Sequence, residues 1–278
     1  MSESDPTYAL GRSDAEHRRL TEQAEHLRPL TERLFLAAGI RPGMRVLDIG
    51  SGVGDVALLA ASIVGPQGQV VGIDLDLNAL EKAKARAEFL GLSNVRFVHD
   101  DIRTAKLPDD FDAAVGRLVL MYFADPAEAL RIVAKRVRSG GPVVFHEMIM
   151  DPGLTSVAAS YPNESLWTTI AMLIVKTFGA AGVHVQMGRQ LLQIYSAAGL
   201  PVPSMSIESF AGGGPDFAGY SWLANTMRSV APLAEKFGLA KISDLGLDTL
   251  EVRLKDDAVA KTLLVSSPPF VGAFAVKP

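Results

Sequence analysis

The stretch Val46-Leu47-Asp48-Ile49-Gly50-Ser51-Gly52-Val53-Gly54-Asp55 constrains the fold of this chain more than any other. A short apolar run holds an acid, three glycines alternate, and a helical pattern follows. That is a strand, a tight turn and a helix start, the layout of a nucleotide pocket in an open α/β sheet. A dinucleotide fingerprint, G-x-G-x-x-G, needs its third glycine at position 55, where helix and strand close on a pyrophosphate. Position 55 is Asp, and the third glycine stands one residue earlier. An acid in the first helical turn takes the place of a phosphate and repels it. It suits a ligand carrying an ammonium and a sulfonium. The turn reads as a site for S-adenosyl-L-methionine (SAM).

Downstream segments extend the pattern. Val70-Val71-Gly72-Ile73-Asp74, followed by Leu75, is a second buried strand ending in an acid. A carboxylate there can accept hydrogen bonds from both ribose hydroxyls. Val95 to His99 form a third strand, followed by Asp100-Asp101-Ile102. Asp101 is placed to accept from an adenine amino group, with Ile102 along the ring. Phe111 to Val115 make a fourth strand, and Asp125-Pro126 opens the next helix. Arg138-Ser139-Gly140-Gly141 closes that helix and leads into a fifth strand.

Taken in this order, these residues resemble the class I SAM-dependent methyltransferases, closely over about residues 42–150. Tyr8-Ala9-Leu10-Gly11 and a long C-terminal part ending in a strand look like the small-molecule branch of that superfamily. The resemblance implies that Gly50, Gly52, Asp74, Asp101 and Ile102 hold SAM. Asp48, Ser51, Gly54, Asp55, Leu75 and Arg117 complete the candidate cofactor set, with Tyr8 placed to lay its ring over the sulfonium. The implied fold is a doubly wound α/β sheet of seven strands, mostly parallel, with an antiparallel last strand. Two departures stand out. Arg117 and Met121-Tyr122 follow the fourth strand, where many relatives carry a small polar residue and histidines.

The expected segments are an N-terminal helical cap over 1–40, a SAM-binding core over 41–211 and 267–278, and a helical lid over 212–266. In the cap, Leu20, Ala24, Leu27, Leu30 and Leu34 recur near helical spacing, and Pro29 is expected to kink or restart the helix. Gly212-Gly213-Gly214-Pro215 opens the lid, which carries Phe217, Tyr220, Trp222, Met227 and Phe237. These residues pack the lid, or, with Trp167 and Phe178, line an apolar acceptor pocket. A lid would exclude water from a reactive sulfonium.

Composition excludes several functions. Net charge is −4, giving no global field for nucleic acid or anionic membrane. The basic run Arg131 to Arg138 reads as a solvated helix face, because Ile132, Val133 and Val137 point inward. The chain has no cysteine, which excludes disulfides, thiolate nucleophiles and iron–sulfur ligation. His17, His26, His99 and His184 lack metal-ligand spacing, and no metal site is expected. With no signal-like N-terminus and no membrane-length apolar run, the expectation is a cytoplasmic protein, monomer or homodimer, without nucleic-acid or membrane partners.

Methyl transfer from a sulfonium is an in-line displacement, so holding two groups collinear in a dry site is the main task. A base matters only for a neutral hydroxyl or weakly acidic carbon. The candidates are His146, Tyr122 and Glu147. His146 leads because free imidazole titrates near neutrality, and Glu147 is able to orient it. The expected acceptor is a small hydrophobic metabolite methylated on oxygen or carbon, in preference to nitrogen. Ser267-Pro268-Pro269-Phe270 matches a short signature of amino-methyltransferases. It stands after the wrong strand for that role, so the prolines are expected to launch the last strand. The rival readings are a non-catalytic SAM-binding module and a nicotinamide-dependent dehydrogenase. The dehydrogenase fails at the third glycine and at the acidic pair after strand three.

Overall fold

Short apolar runs bounded by glycine or acid become strands, and the longer periodic segments between them become helices. The structure, a computed structural model, describes residues 14–150 and 165–278, with side chains from Gln23 onward. In chain order the elements are α1 (Asp14–Ala37), β1 (Arg45–Ile49), α2 (Asp55–Val64), β2 (Gln69–Asp74), α3 (Leu77–Phe89), β3 (Val95–His99) and β4 (Ala113–Arg117). They continue with α4 (Pro126–Lys135), β5 (Pro142–Met148), α5 (Leu166–Ala180), α6 (Met187–Ala197), β6 (Ser204–Glu208), β7 (Ala211–Gly212) and α7 (Gly219–Lys236). The last are α8 (Ile242–Leu245), α9 (Leu250–Ala260), β8 (Val265–Ser266) and β9 (Phe270–Val276).

Seven strands form one sheet in the order β3-β2-β1-β4-β5-β9-β6. The pairs β1–β2, β1–β4, β2–β3 and β4–β5 are parallel. β9 runs the other way: its end at Lys277 exchanges hydrogen bonds with Gly140 and Gly141 at the start of β5, and Ile149 N–H bonds Pro269 before its start. This is the expected doubly wound sheet with an antiparallel last strand. β1, β2 and β4 are buried along most of their length, as strands covered on both faces must be. The strand order reverses between β1 and β4, so the glycine turn after β1 sits at the switch point.

The chain divides into two compact units. Among the described residues, a sheet unit contains 24–147, 187–207 and 271–278, and a helical unit contains 14–23, 148–150, 165–186 and 208–270. The expected segments divide the chain differently. Residues 24–37 of α1 belong to the sheet unit, because Leu34, Phe35, Ala38 and Ile40 join the core built on β1, β4 and α2. Residues 165–186 belong to the helical unit, where α5 packs on α7 and α9. Ser165 caps α5 by accepting from Thr168 N–H (3.1 Å), and Asp257 on α9 accepts from Leu166 N–H (2.9 Å). Pro29 does not break α1, which is continuous from Asp14 to Ala37. Pro29 is exposed, so water can satisfy the carbonyl that loses its helical donor.

The Ser267-Pro268-Pro269 run is structural. Ser267 is buried and exchanges hydrogen bonds with Phe210, accepting from Phe210 N–H at 3.1 Å and donating its own N–H to Phe210 O. β9 then starts at Phe270, directly after the prolines. Among the described residues, no helix is long and apolar enough to cross a membrane.

Candidate functional site

Each glycine of the turn has its own task. Gly50 (φ 64°), Gly52 (φ 50°) and Gly54 (φ 89°) all take the left-handed conformation that disfavours side chains. A Cβ on Gly50 would overlap Val119 Cγ2, and one on Gly54 would lie 2.9 Å from Ala83 Cβ on α3. These two make room for close packing. A Cβ on Gly52 would meet nothing within 4 Å, so the turn is open on that side. Gly52 N–H donates to Asp74 Oδ2 (2.8 Å), and Asp76 N–H donates to Asp74 Oδ1 (2.8 Å). The acid ending β2 therefore braces the glycine turn and keeps lone pairs for a ligand. Beside it, Leu75 is 52% exposed, an apolar surface next to the open turn.

The turn gathers three carboxyls, Asp48, Asp55 and Asp74, against the cations Arg86 and Arg117. Asp48 is fully buried and, among the described residues, neither carboxyl oxygen has a hydrogen-bond partner; Ser51 Oγ is likewise buried and unpartnered among them. Burial pushes the Asp48 carboxyl well above its usual range; Arg117 opposes this and Asp74 adds to it. Burial also raises Asp55 and Asp74. Asp55 has a protein partner that the sequence did not reveal. Arg86 on α3 pairs with it at 2.7 Å and also donates to Val53 O at 2.6 Å. Buried acceptors without donors favour a ligand that brings positive charge and N–H groups. An ammonium beside a sulfonium fits that donor deficit, and a pyrophosphate does not.

The other candidates are dispersed. Asp101 is held by Arg103, whose Nε and Nη2 reach both carboxyl oxygens, and this hydrogen bonding lowers its pKa. Ile102 beside it is buried. Tyr122 is half-buried in a 3-10 turn over Leu120–Tyr122. Tyr8 lies outside the described residues.

His146 and Glu147 are neighbours on β5, so their side chains leave opposite faces. Glu147 therefore does not orient His146. Thr31 on α1 does. Its hydroxyl donates to Leu27 O (3.0 Å) and accepts from Arg117 Nη1 (3.2 Å). Its 3.2 Å contact with His146 Nδ1 then assigns that nitrogen the proton of a neutral ring. Burial, reinforced by the Arg117 charge, lowers the His146 pKa to about 3. The free-imidazole argument for His146 as base fails here. Glu147 is buried in the sheet unit, with its pKa pushed up to about 8 by desolvation. Its Oε1 accepts from Val119 N–H (3.0 Å) and Leu120 N–H (2.8 Å), while Oε2 has no partner among the described residues. The basic run near α4 has local partners: Arg131 pairs with Glu128, Arg136 with Asp109 and Arg138 with Asp112.

Residues 40–197, more than half of the chain, match the family model of a methyltransferase domain. The chain belongs to the SAM-dependent methyltransferase family. It is 35% identical over 130 residues to the ubiquinone/menaquinone biosynthesis C-methyltransferase UbiE of Ectopseudomonas mendocina, covering 46% of this chain and 50% of that protein. It is 34% identical over 170 residues to an uncharacterized 37.1 kDa protein in transposon TN4556 of Streptomyces fradiae, covering 61% and 47%. The chain thus spans about half the length of these curated relatives. A solved Bacillus halodurans protein superposes with a TM-score of 0.58 at 17% identity, over 89% of this chain and 98% of that one. Haemonchus contortus phosphoethanolamine N-methyltransferase 2, solved with SAM, gives 0.54 at 20% identity, over 90% and 52%. At such identities the structural likeness shows the shared methyltransferase fold.

Within the helical unit of this family member, six aromatic rings of the described residues form a connected group. Trp167 meets Phe217 and Tyr220, Phe217 meets Tyr220 and Phe210, and Phe210 meets Trp222 and Phe270, with centroids 5.5–6.4 Å apart. Phe237, also a candidate, is 37% exposed. Among the described residues, the Tyr220 hydroxyl and Trp222 Nε1 are buried without hydrogen-bond partners. Sequence reasoning missed Thr31, Arg86 and Val119. None carries a local signal, because each acts on a segment remote in sequence.

Proposed function

We propose that this protein transfers the methyl group of SAM to a small hydrophobic metabolite, at oxygen or carbon. The observation that carries the cofactor half is the set of unpartnered buried oxygens at the glycine turn. Asp48 and Ser51 bury unpartnered acceptors there, and Gly52 leaves the backbone open. In this reading Asp74 receives the ribose hydroxyls, Leu75 and Ile102 flank the base, and Asp48 faces the methionine ammonium. Bound SAM supplies an electrophilic methyl group, and the protein supplies orientation in a dry site.

The aromatic group of the helical unit supports a hydrophobic acceptor, and the likeness to a UbiE C-methyltransferase supports carbon among the acceptor atoms. His146, with its pKa near 3, is too weak a base to accept a proton at neutral pH. The reading therefore favours acceptors that ionise in water unaided, such as a phenol or an enolisable carbon.

The test is calorimetric titration with SAM, S-adenosylhomocysteine and NADH, followed by radiolabelled methyl transfer to a panel of phenols and quinols. Micromolar binding of the first two with labelled product supports the proposal. Binding of NADH alone would overturn it. Tight SAM binding with no labelled product from any acceptor would leave a SAM-binding module as the better account.

A further inference from the structure

Glu147 is a buried acid that methyl transfer does not need, yet it makes the most specific contacts on β5. The segment after β4 turns sharply. Leu118 donates its N–H to His146 O (2.9 Å), which extends the β4–β5 ladder by one residue. Leu118 itself takes φ 53°, the left-handed region that a leucine rarely adopts. Such a conformation persists only where its surroundings over-determine it. The surroundings here are Glu147 Oε1, which accepts from the next two amides, Val119 and Leu120.

Those bonds fix the place of the Val119 side chain. Its Cγ2 fills the space a Cβ on Gly50 would need, and its Cγ1 lies 3.0 Å from the place of a Cβ on Gly116. Gly50, just after β1, and Gly116 on β4 thus leave a notch; Val119 is the wedge that fills it at Gly50 and shares it with Phe145 at Gly116, where Phe145 Cε1 lies 2.6 Å from the Cβ place. Gly50 begins the turn whose Gly52 amide bonds Asp74. A continuous path runs from Glu147 through Val119 and Gly50 to the open face of the turn.

We infer that Glu147 is a positioning residue for the cofactor, holding Val119 in the Gly50–Gly116 notch and so fixing the glycine turn in its ligand-ready form. This assignment concerns the cofactor and stands whichever acceptor the protein uses. Glutamine at 147 would keep a carbonyl acceptor for the two amides, whereas alanine would take that acceptor from the buried Leu120 amide and the part-buried Val119 amide.

The experiment measures S-adenosylhomocysteine affinity by calorimetry, well below the melting temperature, for Glu147→Gln, Glu147→Ala, Val119→Ala and the Glu147→Ala/Val119→Ala double variant. Glu147→Gln is expected within about threefold of the unmodified protein. Glu147→Ala is expected about tenfold weaker and Val119→Ala more than threefold weaker. The double variant should bind no more weakly than Glu147→Ala, because both act through one wedge. A folded Glu147→Ala that binds within threefold of the unmodified protein, even with a lowered melting temperature, overturns the assignment. So does a Glu147→Gln as weak as the alanine variant, or a double variant in which the two losses add. If Glu147→Ala does not fold, Val119→Ala decides: unchanged affinity overturns the assignment, and weakened affinity upholds it.

Discussion

In the sheet unit, Thr31 serves Leu27, Arg117 and His146 with one hydroxyl, and one oxygen of Glu147 serves two amides. In the helical unit, the Tyr220 hydroxyl and the Trp222 indole N–H are buried with no partner among the described residues. Among the described residues of the sheet unit, unpartnered buried oxygens gather at the glycine turn, on Asp48 and Ser51, with Arg45 Nε and Glu147 Oε2 standing apart from them. Buried polar groups are ordinarily paired, so the turn and the aromatic group are where the two units depart from that rule.

The sharpest way to break this comparison is at the turn. Gly50→Ala adds a Cβ that overlaps Val119 in a left-handed position, and strain plus overpacking should cost about 2–5 kcal/mol. Gly52→Ala is equally left-handed but meets nothing within 4 Å. It should cost only about 1–2 kcal/mol in stability. Urea denaturation measures both, and equal losses would contradict the notch.

A second test uses acid. His146 has its folded pKa depressed to about 3 from 6.5, so its contribution to stability is present above about pH 6.5. As pH falls through that window toward 3, the unfolded state binds the proton first and stability is lost. Replacing it with phenylalanine should flatten this part of the melting-temperature profile. An unchanged slope would mean that another group carries the acid limb.

Asp74→Ala should weaken SAM affinity by about 1.5–3 kcal/mol, the range for a charged hydrogen-bond partner. Isothermal titration on the folded variant checks it, and unchanged affinity would remove the ribose contact. The smallest effect is expected in the helical unit. Tyr220→Phe removes an unpaired buried hydroxyl and should raise stability by about 1 kcal/mol. If that hydroxyl serves the acceptor, turnover of an oxygen-bearing substrate falls at the same time. Stabilisation without loss of turnover would make the aromatic group packing alone.

The cofactor half of the protein was legible because its signals are local. Asp48 to Asp55 spell a strand end, a left-handed turn and a helix start within eight consecutive positions, and each glycine there takes a left-handed φ. Asp74 follows at the end of the next strand, where alternation and burial define it. The same locality explains why the β-strands and their parallel pairing could be anticipated. Charge partners were legible only in part. Arg117 was a candidate ion-pair partner for Asp48 or Asp55 and does act on both, but Arg86, which pairs with Asp55 from another helix, gave no signal. His146 looked like a base because a free imidazole is one. Its pKa depends on burial and on Arg117 across the β4–β5 ladder, which only the assembled sheet creates. Pro29 looked like a break, but exposure made it tolerable. The sequence by itself determined the nucleoside-binding turn and the order of strands and helices, because steric limits on the backbone act between neighbours. Tertiary structure alone decided which acids are paired, which base is silenced and which side chain wedges the turn, because desolvation and packing depend on groups far apart in the chain.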